Sequence, residues 1–281
     1  MSVRIIVDST TDVQESIRPR LCVVPLTVHF GDEEYIDGVT IDHKVFYEKL
    51  VESDVLPTTS QATPAAFSDL FRDVADAGDT AVVLSISSKL SGTYQSAVIA
   101  AQDYPERIYV VDSQSAAIGA GILAELALQA ADSGMDAPSI ARYLEQEREK
   151  VCIVAMLDTL EYLKKGGRIS KAVAFAGGLL SIKPVISLDD GEIKILGKAR
   201  GSRQGNNLLV QEIEKAGGVD FGKPLLLGYT GLSDVLLMKY VDDSKSLWEN
   251  GTNDLHFSPI GSVIGTHAGP GAIAVAFFKK A

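Results

Sequence analysis

The stretch Ala81 to Ala97, AVVLSISSKLSGTYQSA, decides the fold. Its opening residues, 81–86, form a strand-like apolar run; hydroxyl residues gather around Gly92, and from Tyr94 to Ala101 the chain is alanine-rich and helical by propensity. Two other apolar runs also end in hydroxyls. Val3 to Asp8 reads as a buried strand leading into Ser9-Thr10-Thr11, and Ile108 to Val111 reads as a strand leading into Ser113 and Ser115, with a helix predicted over Ala116 to Ala131. Strands alternating with helices of this length imply a parallel sheet with helices on its faces. In such a sheet the carboxyl ends of the strands face the ligand, so the three hydroxyl clusters would point the same way.

Working outward, Cys22 to Phe30 is β-rich, and Gly31-Asp32 would turn it into a hairpin through Tyr35 and Ile36. A helix is predicted from about Asp42 to Ser53, followed by PTTSQATP (57–64) as a loop between two helices. Thr63 and Pro64 are the expected N-cap and first-turn pair of the second. A charged helix starts at Asp136 and Pro138 and ends near Lys150, and Val151 to Leu157 is again a strand. Glycines then crowd in, and KPVISLDDGEIKILGKAR (183–200) reads as a hairpin turning at Asp190-Gly191. Helices over 206–216 and 233–248, a strand over 224–229, and an all-strand-and-turn ending over 255–280 complete the expectation. The predicted boundary lies near Leu157. It separates an N-terminal α/β domain, 1–157, whose sheet is largely parallel, from a C-terminal α/β domain, 158–281, with a mixed sheet and helices.

Length supports two domains and a cleft between them, since 281 residues exceed one small core. A formal net charge of -11 argues against nucleic acid or an anionic membrane surface as a general partner. Cys22 and Cys152 show no metal-ligand spacing and read as buried thiols in a reducing compartment. No run approaches 18 apolar residues, so stable membrane insertion is not expected and a cytoplasmic location is. The phosphate loop G-x-x-x-x-G-K-[ST] is absent, and neither a nucleotide cofactor nor a metal is expected.

The hydroxyl loops have three chemically reasonable uses: a serine nucleophile, an anion cradle, or a clamp for a carboxylate. Ser9 and Ser113 read as helix caps. Around Ser91-Gly92-Thr93 the glycine between two hydroxyls would let backbone N–H groups face an anion beside a helix N-terminus. Ser91 lacks the G-x-S-x-G elbow, and no spacing links it to His29, His43, His256 or His267. Paired with the 57–64 loop it could instead hold a carboxylate, which is costly to bury without hydrogen bonds. Basic residues Lys164, Lys165, Arg168 and Lys171 surround Gly166-Gly167, and Lys198, Arg200 and Arg203 form a second cluster. The lysines suit a helix C-cap, whereas Arg168 beyond the glycines points to phosphate or an acidic partner. His267, in GTHAGPGA, is left uncrowded by its glycines and counts as a further candidate.

Eight segments, in order, resemble the DegV family of bacterial fatty-acid-binding proteins: IIVDSTTDV (5–13), TSQATP (59–64), SSKLSGTYQSA (87–97), YVVDS (109–113), LEYLKKGGRISKA (160–172), LLSIKPVI (179–186), KARG (198–201) and GTHAGPGA (265–272). The resemblance implies two α/β domains with a long-chain fatty acid in a tunnel between them. It also implies carboxylate contacts from Thr59 and Ser91, with Ser60, Gly92, Thr93 and His267 close by. Some members are carrier subunits that present the acid to a separate ATP-binding fatty acid kinase subunit. Arg168, Arg200 and His267 match the residues associated with that transfer. Gly205 departs from the family, where many relatives have alanine, and should weaken the following helix by up to about 1 kcal/mol. Residues 118–126 and FAGGLL (175–180) are candidate tunnel lining or core. Two rival functions remain at this point: a stand-alone acyl hydrolase using Ser91 and His267, and a lipid-binding regulatory module.

Overall fold

The computed structural model describes residues 2–169, 182–249, 251–252 and 254–280, so Lys171 and FAGGLL lie outside the described residues. The chain runs through β1 (Val3–Asp8), β2 (Cys22–Val24), β3 (Thr27–Phe30), β4 (Glu33–Ile36), α1 (His43–Glu52), β5 (Thr58–Ser60), α2 (Pro64–Asp76), β6 (Thr80–Ser85), α3 (Thr93–Ala101) and β7 (Ile108–Asp112). Strands β2-β1-β6-β7 form a parallel sheet, as expected from the alternation of strands and helices. Ile5, Val7, Val82 and Leu84 face one core cluster, while Ile6, Ala81 and Val83 face another. That is why these runs are continuously apolar: the sheet is covered on both sides.

Two expectations change here. The run Cys22 to Phe30 is split at Pro25, which has no N–H to continue a ladder, so β3 leaves the parallel sheet and pairs with β4 and β5 in a small antiparallel one. Residues 58–60 of the supposed loop are therefore a strand, in register Val28 with Thr59. Nor do Ser9 and Ser113 cap helices. Ser9 Oγ accepts from Leu26 N at 3.0 Å, and Ser113 Oγ closes a local turn on Ser115. Thr63 does cap α2, accepting from Ala66 N.

Next come α4 (Ala117–Asp132), α5 (Ala137–Glu147), β8 (Val151–Met156), α6 (Glu161–Lys165), β9 (Ile182–Asp189), β10 (Glu192–Arg200), α7 (Gly201–Lys215), β11 (Leu226–Tyr229), α8 (Val235–Asp243), α9 (Lys245–Trp248), β12 (Phe257–Pro259), α10 (Ser262–Ala268) and β13 (Ile273–Phe278). The mixed sheet is ordered β10-β9-β8-β13-β11-β12, and among the described residues β11 and β12 are its only parallel pair. Helix α4 is buried nearly all round because it lies between the two large sheets. Ile118, Ile122, Leu123 and Ala127 share one cluster with Ile5 and Val7 of β1 and with Ala274, Ala276 and Phe278 of β13. Among the described residues, no helix is long and apolar enough to cross a membrane.

The hairpin at Asp190-Gly191 forms as predicted, with Asp189 opposite Glu192. Helix α7 starts at Gly201, earlier than expected. The predicted helix over 233–248 breaks at Ser244, whose Oγ donates to Tyr240 O and accepts from Trp248 Nε1. The ending is not all strand and turn, since α10 forms within it. Its residues, Val263, Ile264, Gly265 and Thr266, are poor helix formers, so tertiary packing decides. Gly265 lets α10 lie directly against the rings of Phe46 and Tyr47, where any side chain would overlap the Tyr47 hydroxyl.

Candidate functional site

A cavity of about 420 Å³ lies between the sheets at the carboxyl ends of β6 and β7. Most of its wall is apolar, with Ile86, Ile153, Leu163, Ile186, Ile193 and Val263, from six different parts of the fold, among many aliphatic neighbours. Its volume falls in the range of small-molecule sites, roughly 300–1,000 Å³. Of the predicted residues, Thr59, Ser60, Ser91, Gly92, Arg168 and His267 border it; of the candidate lining over 118–126, none does.

The polar part of the wall is a closed chain of contacts from four segments. Thr59 Oγ1 lies 2.9 Å from His267 Nε2. The other face of that ring, at Nδ1, is packed on Gly166, where a methyl group would overlap it. Arg168 Nη1 donates to Gly166 O at 2.6 Å and its Nε donates to Leu90 O at 3.2 Å, which brings the guanidinium beside Ser91. Ser91 Oγ in turn is 2.9 Å from Thr93 Oγ1, and Gly92 is overlaid by the side chain of Gln61, two residues from Thr59.

Each position follows from local structure. Strand alternation turns Thr59 toward the cavity and Ser60 to the opposite side, where its hydroxyl is 2.8 Å from His29 Nε2. Ser60 thus borders the cavity with its hydroxyl already engaged elsewhere. Gly92 has φ -73, an ordinary value, so its glycine is explained by the pressure of Gln61 and not by backbone freedom. Thr93 is fully buried behind Ser91, with Oγ1 also accepting from Ala62 N, and does not reach the cavity wall. Gly167, at φ +71, ends α6 in the expected left-handed turn and sends Arg168 back toward the 87–92 loop. Arg200 stands apart: it is exposed at the entry to α7, and its N–H donates to Gln204 Oε1 at 2.9 Å.

His267 is not uncrowded. Burial lowers the pKa of its imidazole to about 4, with the Arg168 charge adding to the effect, so the ring is neutral at neutral pH. Its Nδ1 is buried without a hydrogen-bond partner among the described residues. The pairing that a Ser91 hydrolase requires is absent, because Ser91 meets Thr93 and the Nε2 of His267 meets Thr59.

Gln61, Leu90 and Gly166 were not singled out as site residues from sequence. Gln61 and Gly166 lie within the segments TSQATP and LEYLKKGGRISKA, but only the three-dimensional approach of Gln61 to Gly92 and of Gly166 to His267 gives them a role. The strained turn before α4, with Gln114 at φ 48 and Ala117 at φ 51, also borders the cavity through Ala116 and Ala117 and has no glycine to signal it.

A family model described as an uncharacterised protein of the DegV family matches residues 2–280. A DegV domain-containing protein from Caldanaerobacter subterraneus subsp. tengcongensis is 32% identical over 283 residues, covering 99% of both chains. Among solved structures, a DegV family protein from Thermus thermophilus described for its fatty acid binding is 31% identical, with a TM-score of 0.88 over 99% of this chain and 100% of that one. A stearic acid-binding protein from Eubacterium ventriosum is 27% identical, with a TM-score of 0.87 over 100% of this chain and 99% of that one.

Proposed function

The chain belongs to the DegV family, and from that premise and the chemistry of the cavity we propose that it binds a long-chain fatty acid and presents it to a separate ATP-binding kinase subunit. One observation carries the reading: an apolar cavity of about 420 Å³ whose polar wall brings together two hydroxyls, a guanidinium and a neutral imidazole. The family relatives named above, one of which binds stearic acid, support the same ligand class.

Burying about 14 methylenes at ~0.8 kcal/mol each gives roughly 11 kcal/mol gross. Association itself costs about 4–15 kcal/mol, so the tail alone leaves little surplus. Retention then depends on the head group, where each hydrogen bond to a charged acceptor contributes about 1.5–3 kcal/mol. In this reading neutral His267 donates from Nε2 to Thr59 Oγ1, which leaves the threonine proton for the carboxylate. Ser91 supplies the second donor, and Arg168 offsets the buried charge. In the transfer step a carboxylate oxygen attacks the γ-phosphorus of ATP, ADP leaves, and an acyl phosphate remains. The chain lacks a phosphate loop, so the nucleotide belongs to the partner. Arg168, in the cavity wall, is positioned to meet the phosphoryl group, and exposed Arg200 to meet the partner.

Native mass spectrometry of gently purified protein should show the added mass of a fatty acid. Thr59→Val should weaken palmitate binding roughly 10- to 100-fold, the loss of one charge-assisted hydrogen bond. An empty protein that fails to take up palmitate or oleate would overturn the carrier reading. Arg200→Ala should load normally and transfer poorly when the kinase subunit and ATP are added; equal loss of both would remove its partner-facing role.

A further inference from the structure

Three carboxyl groups of the N-terminal segment are buried close together, and they are not equally provided for. Asp8 accepts from Thr10 N, Thr10 Oγ1, Ser85 Oγ and Ile86 N. Asp37 is bonded by the Ser262 hydroxyl, and the hydroxyl of Ser9 and the Ser262 N–H also favour its charged form. Among the described residues Asp12 has one donor: its Oδ1 accepts from Gly261 N at 2.9 Å. Its Oδ2 is buried without a hydrogen-bond partner among the described residues, although the residue is only 5% exposed. A methyl group built on Gly261 would lie 3.3 Å from Asp12 Oδ1 and 3.9 Å from both oxygens of Asp37, so the two carboxyls converge on the same backbone. That backbone is the N-cap and first residue of α10, the helix that carries Val263 and His267 into the cavity wall.

We propose that Asp12 is a positioning residue for the cavity, holding a proton in the folded protein and fixing, through Gly261, the first turn of the helix that presents His267 to Thr59. A buried carboxylate oxygen with no donor is far more costly than the same oxygen in a neutral carboxyl group. Burial pushes Asp12 well above the usual carboxylate range; Asp37 and Asp8 add to this, while the Gly261 N–H and Arg18 oppose it. The other groups that face this pocket are Tyr47, whose hydroxyl donates to Ile260 O at 3.2 Å, and His43, whose ring nitrogens face the carbonyls of Ile260 and Gly231 and not a carboxylate. With α10 spanning Ser262–Ala268, little of its stability is internal, so its placement depends on the groups that hold its first turn. The proton is required there because Asp12 and Asp37 hold the same turn and would repel each other if both were ionised.

The link to ligand rests on the carrier reading, and the test separates the two. The infrared spectrum of the whole protein at neutral pH should contain the carbonyl stretch of a protonated carboxyl that disappears in Asp12→Asn, the neutral isostere. Asp12→Asn should leave the His267 imidazole NMR signal and palmitate affinity within about twofold of the original, whereas Asp12→Ala should shift that signal and weaken palmitate about tenfold or more. A carboxyl whose folded pKa is raised stabilises fully below its ordinary value of 3.8, and this is lost as pH rises through the folded value. The melting temperature of Asp12→Asn relative to the original protein should therefore climb as pH is raised from 3.8 toward the folded value and level off above it. No such band, or Asp12→Asn moving the His267 signal as far as Asp12→Ala does, overturns the proposal. If the original protein binds no palmitate, the carrier reading fails by itself, and the band and the His267 signal still decide for Asp12.

Discussion

His267 shows how far one residue's chemistry depends on where the fold puts it. On sequence it was a histidine among glycines; in the structure it is pressed between Gly166 and Thr59 beside a guanidinium. Its pKa falls from 6.5 to about 4, burial being the larger cause and Arg168 the smaller. The sign follows from proton counting. As pH falls from 6.5 toward about 4, the unfolded chain takes up a proton that the folded one refuses, so stability is lost across that window, by roughly 3 kcal/mol in full. An NMR titration should find the His267 ring neutral throughout the physiological range, with its midpoint near 4. A midpoint at the ordinary histidine value would mean that water or a carboxylate reaches the ring, and the donor role toward Thr59 would go with it.

Elements were legible where they obey one local rule and illegible where another part of the molecule overrides it. Three of the four parallel strands, β1, β6 and β7, announced themselves as apolar runs leading into hydroxyls, and α2 by Thr63 and Pro64. The strand at Thr58–Ser60 and the helix at Ser262–Ala268 did not, because the first is defined by its pairing with β3 and the second by the rings of α1 and by Asp12 and Asp37. In the site, Ser91, Arg168 and His267 were readable as candidates by residue type, and Thr59 only through the resemblance of TSQATP to the family. What could not be read was the direction of each hydroxyl: strand alternation sends Ser60 to His29, and helix burial sends Thr93 behind Ser91. Helix α4 offers a test at this scale. Gly121 has no backbone reason to be glycine, but a methyl group there would overlap the carbonyl oxygen of Asp12, whose N–H is 3.3 Å from Ala117 O on the same helix. Main chain cannot rotate out of the way as a side chain can. Gly121→Ala should therefore destabilise by about 1–3 kcal/mol, against the gain that alanine usually brings to a helix. Thermal melting should show the loss, and a raised melting temperature would mean that α4 and the Asp12 turn are not in rigid contact.

At the scale of the whole molecule, length predicted two domains parting near Leu157; the parallel sheet is built from strands within 3–112 and the mixed sheet from strands within 151–278, so β8, assigned on sequence to the first domain, belongs to the mixed sheet. Their hydrophobic cores do not divide in the same way. One cluster takes in β1 and β6 of the parallel sheet, all of the inner α4, and Ala274, Ala276 and Phe278 of the mixed sheet. A helix that both sheets need for cover couples them, because neither can lose it without exposing its own apolar face. Unfolding is therefore expected to be one transition. Trp248, the single tryptophan, is buried in the cluster on the far side of the mixed sheet and reports that half alone, whereas far-ultraviolet circular dichroism reports the whole chain. Leu123→Ala, at a fully buried position in the shared cluster, should cost about 2–5 kcal/mol. It should lower both signals together, by about 2–4 °C for each kcal/mol in a chain of this size. If tryptophan fluorescence changed at a different temperature from the dichroism, in the original protein or in Leu123→Ala, the halves would be separate folding units. The cavity between them would then be a junction of two independent bodies, and not the floor of a single core.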